Sequence, residues 1–184
     1  MTQKGSDSVL EETDIFAGLP LKLGTAELVA LPLPNVTLVA PFKGQMMAVA
    51  DALQAEIGMI LPPSGQCVTN ARAKAYWRFL GQWLVFGEMK PGKLSGKAAT
   101  VDMSDAFGRL RLTGGAAALS RLTELDIETM KIGQVAHTAL ADIPVTLVAI
   151  EGGFELMIPR SFSQSAVARL TVAMRSVAAR GALG

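Results

Sequence analysis

The stretch from residue 101 to residue 125, VDMSDAFGRLRLTGGAAALSRLTEL, combines two strand signals with a helical one and constrains the fold most strongly. Residues 109–112 alternate arginine and leucine, a period of two that is typical of a strand with one buried and one wet face. Leu110 and Leu112 should point inward. The Ser-Asp pair at 104–105 favours a turn before this strand, because both side chains can hydrogen-bond the neighbouring backbone. A β-hairpin is the expected result.

A glycine pair separates this strand from a helical pattern. Gly114 and Gly115 predict a turn, and apolar residues follow them at helical spacing. The pair lacks the remaining glycines of a dinucleotide-binding or P-loop fingerprint, so the signal for phosphate binding is weak. The unit predicts a strand, a turn, a second strand and a helix over residues 114–124.

Similar periodicities elsewhere predict an α+β fold. The expected strands are residues 27–31, 36–40, 71–80, 82–86, 100–104, 109–112, 133–141, 145–150 and 154–158, with Glu155 and Met157 on the opposite face of the last one. The expected helices are residues 43–57, 114–124 and 162–180, the last begun by a capping box between Ser161 and Gln164. Prolines flanking the first two strands should end them or place them at an edge. We expect antiparallel sheets with helices packed mainly on one side.

Five aromatic residues lie between Tyr76 and Phe86, on two strands that meet near Gly81. Trp77 and Phe79 share one strand face, so they could form a stacked platform for a base or a pterin. A hydrophobic core is the interpretation that we favour, because aromatic side chains bury the most apolar area. The basic residues of the same hairpin are expected on a solvated face; they are Arg72, Lys74 and Arg78.

The charge balance argues against several classes of function. Among 184 residues, 17 are Lys or Arg and 16 are Asp or Glu, which gives a net charge of +1 and no footprint for nucleic acid. No apolar run approaches the roughly 18 residues that span a bilayer, and the N-terminal residues lack the apolar core of a signal peptide. One cysteine excludes an intramolecular disulfide. We therefore expect a cytoplasmic protein with neither nucleic acid nor a membrane as a partner.

The apolar content is unusual for a chain of this size. Hydrophobic residues make up 50% and charged residues 18%, against about 25% charged residues in a typical domain. Large exposed apolar patches usually mark an interaction site, so we favour the interpretation that another chain covers part of this surface. An alanine-rich protein with an ordinary surface is the alternative.

Few residues suggest catalysis. His137 is the only histidine, and its apolar neighbours favour a structural role over a catalytic base. Cys67 has no histidine near it in the sequence and is expected to be inert packing. With one cysteine and one histidine, a protein-only zinc site is not expected. The sequence therefore predicts no catalytic, cofactor-binding or metal-binding residue in this chain.

Four short motifs follow one another in the second half of the chain. They are residues 101–105 (VDMSD), residues 109–114 (RLRLTG), Gly133-Gln134 before Thr138, and residues 154–162 (FELMIPRSF). Their order resembles the gamma subunit of heterotetrameric sarcosine oxidase. It is also similar to the front part of the aminomethyltransferase fold, which the glycine-cleavage T-protein and its folate-binding relatives share. The first half of the chain is similar mainly through residues 61–65 (LPPSG) and Trp83-Leu84.

This resemblance implies a non-catalytic gamma subunit of a multi-subunit sarcosine oxidase. Such complexes oxidatively demethylate sarcosine to glycine, release hydrogen peroxide and transfer the one-carbon unit to tetrahydrofolate. The implied partners are the alpha, beta and delta subunits of the heterotetramer. The implied cofactors are FAD, FMN, NAD and tetrahydrofolate, held by those partners and not by this chain.

One departure from the T-protein relatives concerns their catalytic aspartate. In those relatives the Gly-Gln strand leads into a glycine-containing hairpin that carries it. Here Asp142-Ile143-Pro144 follows Ala141 directly, so that hairpin is missing and Asp142 is at most a remnant without a role in proton transfer. A small folate-binding aminomethyltransferase-like protein is the alternative hypothesis, and it requires a carboxylate facing a pterin pocket. A self-associating scaffold is a third.

The domain organisation expected is simple. Residues 1–18 carry several acidic and few large apolar side chains and are predicted to be a flexible tail. Residues 19–184 are predicted to form a single α+β domain, with two sub-halves, 19–92 and 93–184, as a possible subdivision.

Overall fold

Alternating apolar and polar residues build two antiparallel β-sheets. The computed structural model describes residues 15–182. Sheet one contains, in spatial order, β1 (Leu21–Leu23), β2 (Ala26–Ala30), β8 (Phe107–Thr113), β11 (Gly153–Pro159), β10 (Ile143–Ile150) and β9 (Val135–Leu140). Sheet two contains β4 (Cys67–Thr69), β5 (Lys74–Phe79), β6 (Gln82–Phe86), β3 (Val36–Pro41) and β7 (Ala98–Asp102).

The sheets pack face to face, and helices cover the outer face of each. Helix α1 (Met46–Ile57) packs on sheet two, while α2 (Ala116–Leu119) and α3 (Ser163–Gly181) pack on sheet one. A third apolar cluster, which includes Leu84 and Met157, lies between the sheets. The predicted α+β fold, with antiparallel sheets and helices on one face, is confirmed. The helices are divided between two sheets, so each sheet has a helical face and a face against the other sheet.

The connection between β7 and β8 crosses from one sheet to the other. A turn at 104–105 is present, and the Ser104 hydroxyl donates to the Asp102 carboxylate over 2.6 Å. However, β7 pairs with β3, whereas β8 pairs with β2 and β11. The predicted hairpin pairing is therefore wrong. A period of two reports which face of a strand is buried, but it does not identify the neighbouring strand.

Two predictions about helices need correction. The helix predicted for 114–124 ends as an α-helix at Leu119, and the hydroxyl of Ser120 donates back to the carbonyl of Ala116 over 3.1 Å. Such back-bonding competes with helix continuation. The capping box of the last helix is absent, because a 3₁₀ turn at Arg160–Phe162 precedes α3 and no side chain caps its first residue.

The predicted flexible tail, residues 1–18, is described by the structure only in its last four residues. Most of the predicted acidic tail, residues 1–14, lies outside the described residues. Residues 15–18 form a turn, and Phe16 packs against the core of sheet one.

The two possible sub-halves, 19–92 and 93–184, do not coincide with the sheets. Strands β1 and β2 join the later strands in sheet one, whereas β7 joins the earlier strands in sheet two.

Gly114 allows the end of β8 to approach the start of β2. Its φ is +60°, a left-handed conformation that side chains with a Cβ disfavour. A Cβ at this position would collide with the carbonyl oxygen of Thr25. The glycine after the RLRLT strand is therefore required for close packing of sheet one as well as for the turn.

We expect Gly114→Ala to lower the free energy of unfolding by roughly 2–4 kcal/mol, because it combines left-handed strain with a backbone collision. Urea denaturation measures this loss. Gly92→Ala is the matched control, since a Cβ there meets nothing within 4 Å, and it should change stability by less than about 0.5 kcal/mol. Equal effects of the two substitutions would contradict this packing role.

Candidate functional site

A carboxylate is buried between the two sheets. Glu155 lies in the middle of β11, where Phe154 and Leu156 point to the helical face and Glu155 points to sheet two. Its side chain is 2% exposed. An isolated carboxylate at such a position would be strongly destabilising, so the groups around it determine what it can do.

Three cations and one hydroxyl bind Glu155. The donors are Arg109 Nη2 at 2.6 Å, the Tyr76 hydroxyl at 2.9 Å, Lys74 Nζ at 3.0 Å and Arg111 Nη2 at 3.4 Å. Lys74 and Tyr76 belong to β5 of sheet two, and both arginines belong to β8 of sheet one. We call these five residues the inter-sheet ion cluster. Both oxygens of the carboxylate accept hydrogen bonds from it.

The cluster keeps Glu155 ionised. Burial by itself would raise the pKa of this carboxyl, but the hydrogen bonds and charges of Arg109 and Lys74 lower it to about 2. Burial and the nearby Glu155 charge raise the pKa of the Tyr76 hydroxyl above its ordinary value. A carboxylate with so low a pKa and with both oxygens occupied is a poor general base near neutral pH. Its chemistry is that of a structural anion.

The environment that the sequence pattern predicts is wrong for Lys74, and for Glu155 it gives the correct face of the strand but not its burial. Lys74 was expected on a solvated face, and Glu155 on the face of β11 opposite to the apolar stripe. The alternation itself was read correctly. The opposite face is covered by a second sheet, which a single strand pattern does not report. The signal that could have suggested the cluster is a pair of arginines at every second position of β8 with a lone glutamate on the polar face of β11, because these charges have opposite signs.

A cavity of about 340 Å³ lies beside this cluster. Its apolar wall includes Phe79, Leu84, Phe107 and Met157, and Arg78 also lines it. His137 stands on β9, with its ring 5.1 Å from that of Phe79. The cavity lies between the two sheets, because β5 and β6 of sheet two and β8 to β11 of sheet one all contribute to its lining. We call it the inter-sheet cavity.

The aromatic residues of this hairpin are divided between two environments. Tyr76 is buried between the sheets, as expected for a core aromatic. Phe79 is 50% exposed, and Trp77 lies at an intermediate burial with its ring 5.6 Å from His137. The core prediction is therefore wrong for Phe79 and only partly met by Trp77. A register shift between these two residues turns the strand towards the cavity.

His137 is held in place on one side of its ring. Nδ1 lies 2.9 Å from the Thr146 hydroxyl, and within residues 15–182 the buried Nε2 has no hydrogen-bond partner. Burial lowers the pKa of His137, and the nearby backbone of Trp77 and Arg78 opposes this effect. The ring is therefore neutral at physiological pH and forms part of the cavity wall.

The other residues considered from the sequence lie elsewhere. Cys67 is half-buried against the inter-sheet apolar cluster, and burial raises the pKa of its thiol, which disfavours the reactive thiolate. Asp142 lies at the turn between β9 and β10, is 72% exposed and pairs with Arg169 over 2.6 Å. Neither residue joins the inter-sheet ion cluster.

The part of the chain that the structure describes contains neither a cluster of metal ligands nor a helix suited to a membrane. Between residues 15 and 182, no group of three or more His, Cys, Asp or Glu side chains is arranged to hold a metal ion. Within the same range, no helix has both the length and the apolar character needed to cross a membrane.

The fold and the site define an α+β protein of two facing antiparallel sheets joined by a buried ion cluster. Among solved structures, the chain is similar to a heterotetrameric sarcosine oxidase from Corynebacterium sp. U-96 in complex with pyrrole 2-carboxylate. The TM-score is 0.71 at 22% identity, covering 83% of this chain and 85% of the other. This similarity shows a shared fold.

Comparisons with family models, with curated proteins and with one further solved structure identify no family for this chain. No family model matches the chain, and a search of curated proteins found no significant match. The regulatory subunit of aspartate kinase from Thermus thermophilus aligns with a TM-score of 0.36 at 12% identity, over 83% of this chain and 99% of that one. That score is too low to indicate a common fold.

We expect Glu155→Gln to destabilise the protein by roughly 3 kcal/mol, because it leaves Arg109 buried without its ionic partner. Chemical denaturation measures the change. Glu151→Gln is the matched control, since Glu151 is exposed at the turn before β11, and it should have an effect within about 0.5 kcal/mol. If both variants were equally stable, the ion pairs of Glu155 would not contribute to the free energy of unfolding.

The low pKa of Glu155 also predicts how stability depends on pH. A carboxyl whose pKa is about 2 when folded and near 4.5 when unfolded stabilises the fold fully above about pH 5. This stabilisation is lost as the pH falls from about 4.5 towards 2, and we expect it to be about 2 kcal/mol after partial screening. Denaturation of the wild type and Glu155→Gln at several pH values tests this, because the difference between them should shrink below pH 4. A constant difference would contradict the assignment.

Proposed function

We propose that this chain is the non-catalytic gamma subunit of a multi-subunit sarcosine oxidase. The observation that supports this proposal most is the shared fold with a chain of a heterotetrameric sarcosine oxidase, over 83% of the present chain. The order of the four motifs in the second half of the sequence points to the same family. Two of these motifs, residues 109–114 and 154–162, provide both arginines and the glutamate of the ion cluster.

In this proposal, the complex demethylates sarcosine oxidatively to glycine, forms hydrogen peroxide and transfers the one-carbon unit to tetrahydrofolate. The alpha, beta and delta subunits are its partners. FAD, FMN, NAD and tetrahydrofolate are held in those partners. This chain acts by covering and stabilising them, in a cytoplasmic complex.

Exposed apolar residues support a role in assembly. Met47 is 78% exposed, Leu80 is 96% exposed and Phe42 is 49% exposed. Strands β3 and β6 pair with Val39 opposite Trp83, so the residues that follow β3 approach the turn between β5 and β6. Phe42, Met47 and Leu80 therefore lie at the same end of sheet two, and we call them the apolar end of sheet two. An apolar patch of this kind usually contacts another protein.

The chemistry of the two acids considered also supports a non-catalytic role. Glu155 accepts hydrogen bonds at both oxygens and has a pKa of about 2, so it is poorly suited to accept a proton from a substrate. Asp142 is exposed and paired with Arg169. The alternative, a folate-binding aminomethyltransferase-like protein, requires a carboxylate facing a pterin pocket. Calorimetry of the isolated chain with tetrahydrofolate distinguishes the two, because micromolar binding would favour the alternative.

Co-expression with the alpha, beta and delta chains of a sarcosine oxidase from the same organism tests the main proposal, and a genome without such chains would contradict it. We expect the four chains to elute together from a sizing column. A double variant, Met47→Asp with Leu80→Asp, should release this chain, because it places charges in the centre of an apolar contact.

Val172→Asp is the matched control for this experiment, since Val172 is 66% exposed on α3, on the outer face of sheet one. It should leave the assembly intact. Elution of the wild-type chain alone would overturn the proposal, whereas release by Val172→Asp only would assign the contact to the other face.

A further inference from the structure

The charges between the two sheets do not balance. Lys74, Arg109 and Arg111 surround the single carboxylate of Glu155. Arg78 follows on the same strand as Lys74 and lines the inter-sheet cavity, and no Asp or Glu of residues 15–182 forms an ion pair with it. The region therefore holds more positive than negative charge, and Arg78 is the one of these four cations that lines the cavity.

The guanidinium of Arg78 is held by aromatic rings. Its central carbon lies 5.7 Å from the centroid of Phe79 and 5.9 Å from the centroid of Phe107. Contacts of this kind stabilise the cation and restrict where it can lie. Among residues 15–182, no carboxylate pairs with its N–H groups. A guanidinium fixed in this way is prepared to bind a carboxylate through two parallel hydrogen bonds.

The rest of the cavity suits an apolar group. Leu84, Val145 and Met157 provide aliphatic contacts, while Phe79 and Phe107 provide flat ones. The volume of about 340 Å³ lies near the lower end of the range for small-molecule sites. His137, Thr138 and Thr146 add polar groups to the wall, and Arg78 is the one cationic side chain among the lining residues. A mainly apolar cavity with a few polar groups is the usual form of a site that orients a small amphipathic ligand.

We propose that the inter-sheet cavity binds a small monocarboxylate with an aromatic or branched apolar body, with Arg78 pairing its carboxylate. Phe79 of the cavity directly precedes Leu80 of the apolar end of sheet two, but ligand binding in the cavity does not rest on assembly with other subunits. The two proposals can therefore fail independently.

The probe for this site is benzoate, and benzamide is its neutral counterpart of similar size and shape. Binding to the full chain is followed by tryptophan fluorescence, since Trp77 lies beside His137 at the cavity wall, and by ligand-observed NMR. We expect saturable binding of benzoate and at least tenfold weaker binding of benzamide.

Three arginine variants locate the contact. Arg78→Gln should weaken benzoate binding at least tenfold, and Arg78→Lys should retain part of it because the charge remains. Arg72→Gln is the matched control, since Arg72 is exposed just before β5, and it should bind benzoate as the wild type does. Thermal unfolding and near-UV circular dichroism of each variant confirm that it is folded.

Three results would overturn the proposal. The first is the absence of saturable benzoate binding to the wild type. The second is equal binding of benzoate and benzamide, which would indicate an apolar cavity without a carboxylate site. The third is equal weakening by Arg78→Gln and Arg72→Gln, which would indicate general electrostatic attraction.

Discussion

The ion pair between Glu155 and Arg109 is the interaction on which the arrangement of the two sheets depends. The carboxylate accepts hydrogen bonds from β5 of sheet two and from β8 of sheet one. Arg109 also donates to the carbonyl of Pro32 over 3.3 Å, in the segment where the chain crosses from one sheet to the other. The cluster therefore connects both sheets and one crossing segment. A small shift of either sheet would leave a buried charge unpaired.

Such a cluster is better suited to fixing an arrangement than to adding stability. Burying charges is costly, and an apolar replacement of similar volume is often as stable as a buried ion pair. Apolar contacts between sheets tolerate sliding, because one leucine packs against another in several registers. The hydrogen bonds of Glu155 to Arg109 and Tyr76, at 2.6 and 2.9 Å, do not tolerate such sliding, because they require short distances. In this protein the ions align β5 with β8 and β11, while the apolar clusters on both sides supply most of the free energy of folding.

The local pattern of the sequence predicted single elements well and their combination poorly. The strand at 82–86 follows from its apolar run, and the end of α1 at Ile57 follows from the glycine that comes next. Neither feature needs a distant partner. The crossing between β7 and β8 does not follow from local rules, because the same turn residues are compatible with a hairpin and with a change of sheet. Burial of Glu155 was missed for the same reason. Its environment is set by Lys74 and Arg109, which are 81 and 46 residues away.

Arg78 differs from the other cations between the sheets in what it contributes to the fold. Lys74 and Arg109 compensate the charge of Glu155, so removing either would leave a buried anion with less compensation. Arg78 compensates no carboxylate between residues 15 and 182, and its charge adds to the repulsion within a region already rich in cations. An apolar side chain would fill the adjacent cavity and remove this repulsion. A cation without a carboxylate partner at the wall of an apolar cavity is typical of a binding site, because ligand recognition requires a polar group that stays available for the ligand.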